Sequence, residues 1–344
     1  MDTANAIHAR LGIWSDPTDP ALVVVTGPDS HRDRAGPIPT PPVSCRRYRR
    51  PGGQRPTRTC RECPIVNTVT APNPDFSQLM ALEPHGPDVF IGISPEYEWG
   101  RLYGGQVVAQ ALRAAISTVD PGFSVHSLHC YFLRGGTFTE PVRYEVDRIR
   151  NGRSFQTRLV VARQSGGAIL NLSSSFQTCE PAPAVQVSHM PLNLPEPLSL
   201  EPVGWGFLAD RRMISTRPGS GRSMGWVRIV DPIGDDAALH ACGLAFTSDM
   251  VQFQAARDLH PRQVPESMYR EVFMGASLDH AVWFHRPMRA DDWHLYEVAA
   301  HQLGGARGLT IGNVFSPDGT HVASMTQEVL LRERHDAPDT PPPS

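Results

Sequence analysis

The chain has 344 residues, 40% of them hydrophobic, and a formal net charge of −3 at pH 7. That length holds two ordinary domains, and the near-neutral charge excludes a polyelectrolyte, so nucleic acid is not an expected partner. No run of about 18 apolar residues occurs, and no basic stretch followed by an apolar core opens the chain, so a membrane span is excluded and the cytoplasm is the expected location.

Residues 1–73 are rich in Pro, Gly and Arg, with Arg47, Arg49, Arg50, Arg55 and Arg58 close together and few periodic apolar positions. This composition predicts a disordered extension. Cys60 and Cys63 form a CxxC within it, but no second pair completes a four-ligand set, so neither a metal nor any other cofactor is expected. With no export signal, these two and Cys45, Cys130, Cys179 and Cys242 are expected as thiols.

A first globular segment is expected over 74–180. Gly104-Gly105 precedes a helix over Gln106–Ser117, in which Val107, Val108, Ala111, Leu112, Ala115 and Ile116 recur at helical spacing. Val142, Tyr144 and Val146 then alternate with charged residues as in a half-buried strand. Further strands are expected at Phe155–Ala162 and Ala168–Phe176, joined by a hairpin at Gly166-Gly167.

Six prolines (Pro181, Pro183, Pro191, Pro195, Pro197 and Pro202) predict a linker over 181–205. The second segment, 206–334, begins with a helix over Ala237–Phe253 capped by Asp235 or Asp236. Strands follow at Gly275–His285, His294–Ala300, Leu309–Phe315 and His321–Leu331, and residues 335–344 read as a disordered tail.

The two segments repeat one another. Ser127-Leu128 returns as Ser277-Leu278 after 150 residues, Tyr144-Glu145-Val146 as Tyr296-Glu297-Val298 after 152, and Gln177 as Gln327 after 150. So long a period means a duplicated domain rather than a solenoid, and each copy reads as one helix embraced by an antiparallel sheet.

Three stretches carry a family resemblance: Tyr103-Gly104-Gly105-Gln106-Val107-Val108-Ala109-Gln110, Val125-His126-Ser127-Leu128-His129-Cys130-Tyr131-Phe132-Leu133-Arg134, and Ser277-Leu278-Asp279-His280-Ala281-Val282-Trp283-Phe284-His285-Arg286-Pro287. With Thr326-Gln327-Glu328, these resemble the type II, TesB-like acyl-CoA thioesterases over residues 74–334. The resemblance implies an α+β tandem hotdog fold, two antiparallel sheets each wrapping a central helix. It also implies acyl-CoA as substrate, hydrolysed to fatty acid and coenzyme A, and a homodimer or homotetramer. Its catalytic trio maps onto Asp249, Ser277 and Gln327, with Ser277 standing where many relatives carry Thr.

The residues themselves support this trio. Ala238, Cys242, Ala245 and Asp249 fall at spacings of four, three and four, which places the carboxylate on the apolar stripe of a helix. A buried carboxylate needs donors, and the hydroxyl of Ser277 and the amide of Gln327 are candidates. Gln327 shares strand parity with Ala323, Met325 and Val329, again a polar group on an apolar face. The expected chemistry is direct attack by a water that Asp249 deprotonates.

Three rival readings have weaker support. Ser277 as a nucleophile with His280 as base lacks a Gly-x-Ser-x-Gly elbow, and strand positions three apart point to opposite faces. A hydratase/dehydratase on the same fold would need a His/Asp or His/Glu pair acting on the acyl chain. A non-catalytic acyl-CoA binder would need no buried carboxylate. Because Gln177 and Ser127 take the places of Gln327 and Ser277 but the first helix holds no acid, one site per chain is expected, built on the second half.

Overall fold

The computed structural model describes residues 73–204, 207–265 and 268–337. The arginine-rich extension, its CxxC pair and most of the expected tail lie outside the described residues.

The elements run α1 (Phe76–Leu79), β1 (Glu83–Pro84), β2 (Val89–Gly92), α2 (Gly104–Ile116), β3 (Phe123–Phe132), β4 (Val142–Asn151), β5 (Phe155–Gln164) and β6 (Gly167–Thr178). The second half continues with β7 (Ala209–Ile214), β8 (Arg222–Ile229), α3 (Ala237–Ser248), α4 (Gln252–Asp258), α5 (Tyr269–Val272), β9 (Phe273–Ser277), β10 (Asp279–Phe284), β11 (His294–Gly304), β12 (Arg307–Phe315) and β13 (His321–Glu333).

Helix and sheet therefore recur as the repeat requires, but the two half-sheets are not separate. β3 pairs antiparallel with β10, Leu128 opposite Val282 and Ser127 opposite Trp283, which joins the halves into one 13-stranded sheet. Its order is β1-β2-β4-β5-β6-β3-β10-β13-β12-β11-β8-β7, with β9 alongside β13. Each half also clamps the hairpin before its last strand with an arginine following the central strand: Arg134 Nη1 donates to the Gly166 carbonyl, and Arg286 Nη1 to that of His321.

Helix α2 is buried almost all round, since Val108, Ala109, Ala111, Leu112, Ala114 and Ala115 are all fully inaccessible. Its small side chains let it pack against both the sheet and α3. Gly105 makes the closest approach: a Cβ there would lie 2.4 Å from the Phe246 carbonyl oxygen, so only glycine fits.

The second helix starts as expected, with the Asp236 carboxylate accepting from the amides of Ala238 and Leu239. It ends earlier than its periodicity predicts. The hydroxyls of Thr247 and Ser248 turn back onto the carbonyls of Gly243 and Ala245, and Asp249 becomes the C-cap. Such hydroxyls compete with the backbone for carbonyls and favour termination. The continuation is a separate helix, α4.

The strand expected over Gly275–His285 is likewise divided. Ser277 pairs with Val329 and Ala281 with Thr326, so four steps on one strand face three on the other. This is a β-bulge around Leu278, which re-aims the side chains on either side of it.

The proline-rich segment is more than a linker. Between β6 and β7 its Met190, Leu194 and Leu200 pack over Trp226, Leu295 and Phe315, and the Trp226 indole donates to the Pro195 carbonyl at 2.9 Å. Proline keeps this strap extended while apolar residues between the prolines anchor it.

Candidate active site

The C-cap of α3, the bulge between β9 and β10, and the middle of β13 meet at one point. There the three residues expected to act together do meet. Ser277 Oγ donates to Asp249 Oδ1 at 2.9 Å, and Gln327 Nε2 donates to the same oxygen at 2.8 Å and to Ser277 Oγ at 2.6 Å. Gln327 is fully buried beside Met325 and Val329, as its strand parity requires.

The first half supplies the other wall. The Gly105 amide at the start of α2 donates to the Asp249 carboxylate, and a Cβ on Gly104 would lie 2.7 Å from Asp249 Oδ2. The positive end of α2 thus points at the acid. The Tyr103 hydroxyl donates to the Phe246 carbonyl at 2.7 Å, locking this helix start onto α3. Sequence reasoning located the Tyr103-Gly104-Gly105 stretch as a helix entry and missed its place in the site. The available signal was the glycine pair opening an otherwise apolar helix.

Burial pushes the Asp249 carboxyl up to about 6, while the hydrogen bonds from Gln327, Ser277 and the Gly105 amide hold it down. The acid is therefore ionised near neutrality yet basic enough to accept a proton. The Cys130 thiol is buried nearby and pushed well above its ordinary range, so no thiolate competes with it.

His280 also faces inward, contrary to the expectation from strand alternation, because the bulge puts it and Ser277 on the same side. Its Nε2 pairs with Ser248 Oγ at 2.7 Å rather than with Ser277, and burial pushes its pKa down to about 4. No Ser277–His280 dyad exists. His285 pairs with Ser324, His129 stacks edge-on against Trp283, and Asp279 accepts from the Glu328 amide, all structural arrangements.

The first half holds no second trio. Gln177 does not share the parity of Leu170, Leu172, Ser174 and Phe176, which form the buried face of β6, so its correspondence with Gln327 fails by strand parity. The buried polar residue on that face is Ser174. Where α3 ends in an acid, the chain after α2 meets the fully buried Arg158, which donates to the Thr118 carbonyl and hydroxyl.

Residues 93–177 match the model of the acyl-CoA thioesterase N-terminal domain and residues 179–331 that of the C-terminal domain. The chain belongs to the acyl-CoA thioesterase family. It is 37% identical to acyl-coenzyme A thioesterase 8 of Mus musculus, over 74% of this chain and 88% of that protein. Against acyl-CoA thioesterase 2 of Haemophilus influenzae it is 31% identical, over 74% and 96%. Among solved structures, an acyl-CoA thioesterase II from Mycobacterium marinum superposes with a TM-score of 0.66 at 36% identity, covering 76% of this chain and 98% of that one. The tandem hotdog of this family is the architecture described above, with its two half-sheets continuous through β3 and β10.

Proposed function

We propose that this acyl-CoA thioesterase hydrolyses fatty acyl-CoA to fatty acid and coenzyme A by direct attack of water, with Asp249 as general base. The observation that carries this reading is the convergence of a hydroxyl and an amide on one oxygen of a buried carboxylate. Ser277 and Gln327 hold Oδ1, leaving Oδ2 beside Gly104 to receive a water proton. The hydroxide so formed adds to the thioester carbonyl carbon. Negative charge on the carbonyl oxygen then faces the amide end of α2, where backbone N–H groups stabilise an oxyanion. Collapse breaks the carbon–sulfur bond, and the departing thiolate takes the proton from Asp249.

A homodimer or homotetramer in the cytoplasm is the assembly and location proposed with it. No helix among the described residues is long and apolar enough to cross a membrane. Light scattering gives the assembly directly.

Thiol release from a series of acyl-CoAs, acetyl to palmitoyl, tests the reaction. Release of thiol from fatty acyl-CoA by the wild type is the expected result. Tight binding of acyl-CoA with no release from any ester would instead establish the non-catalytic binder.

A further inference from the structure

Two buried polar atoms next to the trio lack a hydrogen bond of normal geometry: Nδ1 of His280 and Oε1 of Gln327. Their residues are neighbours across the sheet, one step beyond the pairing of Ala281 with Thr326, and the imidazole interacts with the Gln327 amide. His280 is 1% exposed and Gln327 and Ser248 are fully buried, so water does not reach these atoms from bulk. Leaving both unsatisfied would cost free energy, and each is what the other needs if Nδ1 carries the proton.

The surroundings of the ring suit that tautomer. The Gln327 side chain and the Thr326 main chain both lie against the ring and raise its pKa, as groups accepting from it do. Nε2 faces the Ser248 hydroxyl, whose single proton has two acceptors in reach, the Ala245 carbonyl and Nε2, and goes to Nε2 when Nδ1 is the protonated nitrogen. We propose that His280 is a positioning residue: its Nδ1–H donates to Gln327 Oε1, so that the amide presents only its NH2 end to Asp249 and Ser277. The opposite amide orientation would set an oxygen against the ionised carboxylate. The circuit runs from the Ser248 hydroxyl through His280 and Gln327 to Asp249, and it rests on the reading of the trio as the catalytic group.

Phenylalanine at 280 keeps the ring and removes both nitrogens; asparagine restores a donor near the place of Nδ1. For His280→Phe, shown to be folded by circular dichroism, kcat should fall by about 10- to 100-fold with KM unchanged, because the amide no longer holds its orientation. The acid limb of its pH profile should move upward, since Asp249 loses a bond that lowers its pKa. His280→Asn should recover most of kcat and return the limb.

That limb reports Asp249. The other titratable or charged groups around it are Tyr103 before α2, Cys130 on β3, Asp279 on β10 and Arg211 on β7. Tyr103 and Cys130 are pushed well above their ordinary values by burial. Asp279, bound to the Glu328 amide, is unchanged by every variant used. Wild-type kcat and limb in folded His280→Phe would overturn the proposal, as would lost kcat with an unmoved limb, or an Asn variant no better than Phe. Should both variants fail to fold, Ser248→Ala decides: a loss of about 2- to 5-fold with the limb moved the same way is expected, and wild-type behaviour overturns the proposal. An Asp249→Asn enzyme that kept its activity would instead remove the catalytic reading itself.

Discussion

Gly104 and Asp249 come from different halves of a duplicated chain and touch: a Cβ on the glycine would stand 2.7 Å from the carboxylate's Oδ2. The oxygen left open by Ser277 and Gln327 is the one the first half approaches. Neither half contains the whole of this cluster, so the proposed active centre is single in two copies of one fold.

Substituting either glycine of the pair tests this contact. The Gly104→Ala methyl would stand 2.7 Å from Asp249 Oδ2 and 3.0 Å from the Phe132 ring, so the carboxylate held by Ser277 and Gln327 must shift. A fall in kcat of at least about tenfold is expected in steady-state kinetics, with a lower melting temperature. Gly105→Ala meets the rigid Phe246 carbonyl instead, and should lower stability by about 1–3 kcal/mol in denaturant titration.

The pH dependence follows from Asp249. The base is its ionised form, and burial sets its pKa at about 6, so activity should rise with pH through about 6 and be lost as pH falls below it. Removing a donor with Ser277→Ala or Gln327→Ala destabilises the carboxylate, so the limb should move to higher pH in both variants. A kcat profile flat from pH 5 to pH 8 would contradict this assignment.

Serine at 277 supplies a hydroxyl that threonine also has. Ser277→Thr should keep kcat within about threefold of wild type, whereas Ser277→Ala should lose about 10- to 100-fold. Steady-state kinetics on a single long-chain ester distinguishes them.

The strap between the halves affects stability alone. Trp226→Ala removes the indole that holds Pro195 and opens the cluster with Leu295 and Phe315. A loss of about 3–5 kcal/mol is expected by denaturant titration, with kcat per folded molecule preserved.

Much of this was legible in the amino-acid pattern. Apolar spacing located both central helices, strand alternation located most of the sheet, and the polar interruptions at Asp249 and Gln327 marked the candidate site. What the pattern missed are the strands ahead of each central helix, β1, β2, β7 and β8, and the interruptions of regularity. Hydroxyl groups at Thr247 and Ser248 end α3 at Ser248 rather than Phe253, a bulge at Leu278 turns Ser277 and His280 to one side, and register shifts hide that Gln177 and Gln327 do not correspond. Periodicity assumes unbroken elements, and functional sites are built where they break. The contact of Gly104 with Asp249 joins residues 145 positions apart in chain number, which no local spacing reports.

The most direct test is thiol release by Asp249→Asn beside the wild type, on the same long-chain acyl-CoA and with both proteins shown to be folded. The substitution keeps the shape of the side chain and one acceptor oxygen for Ser277 and Gln327, and removes its basicity. A fall in kcat of about 100- to 10,000-fold is the predicted result; a folded variant within about threefold of wild type would contradict the assignment of Asp249 as the base.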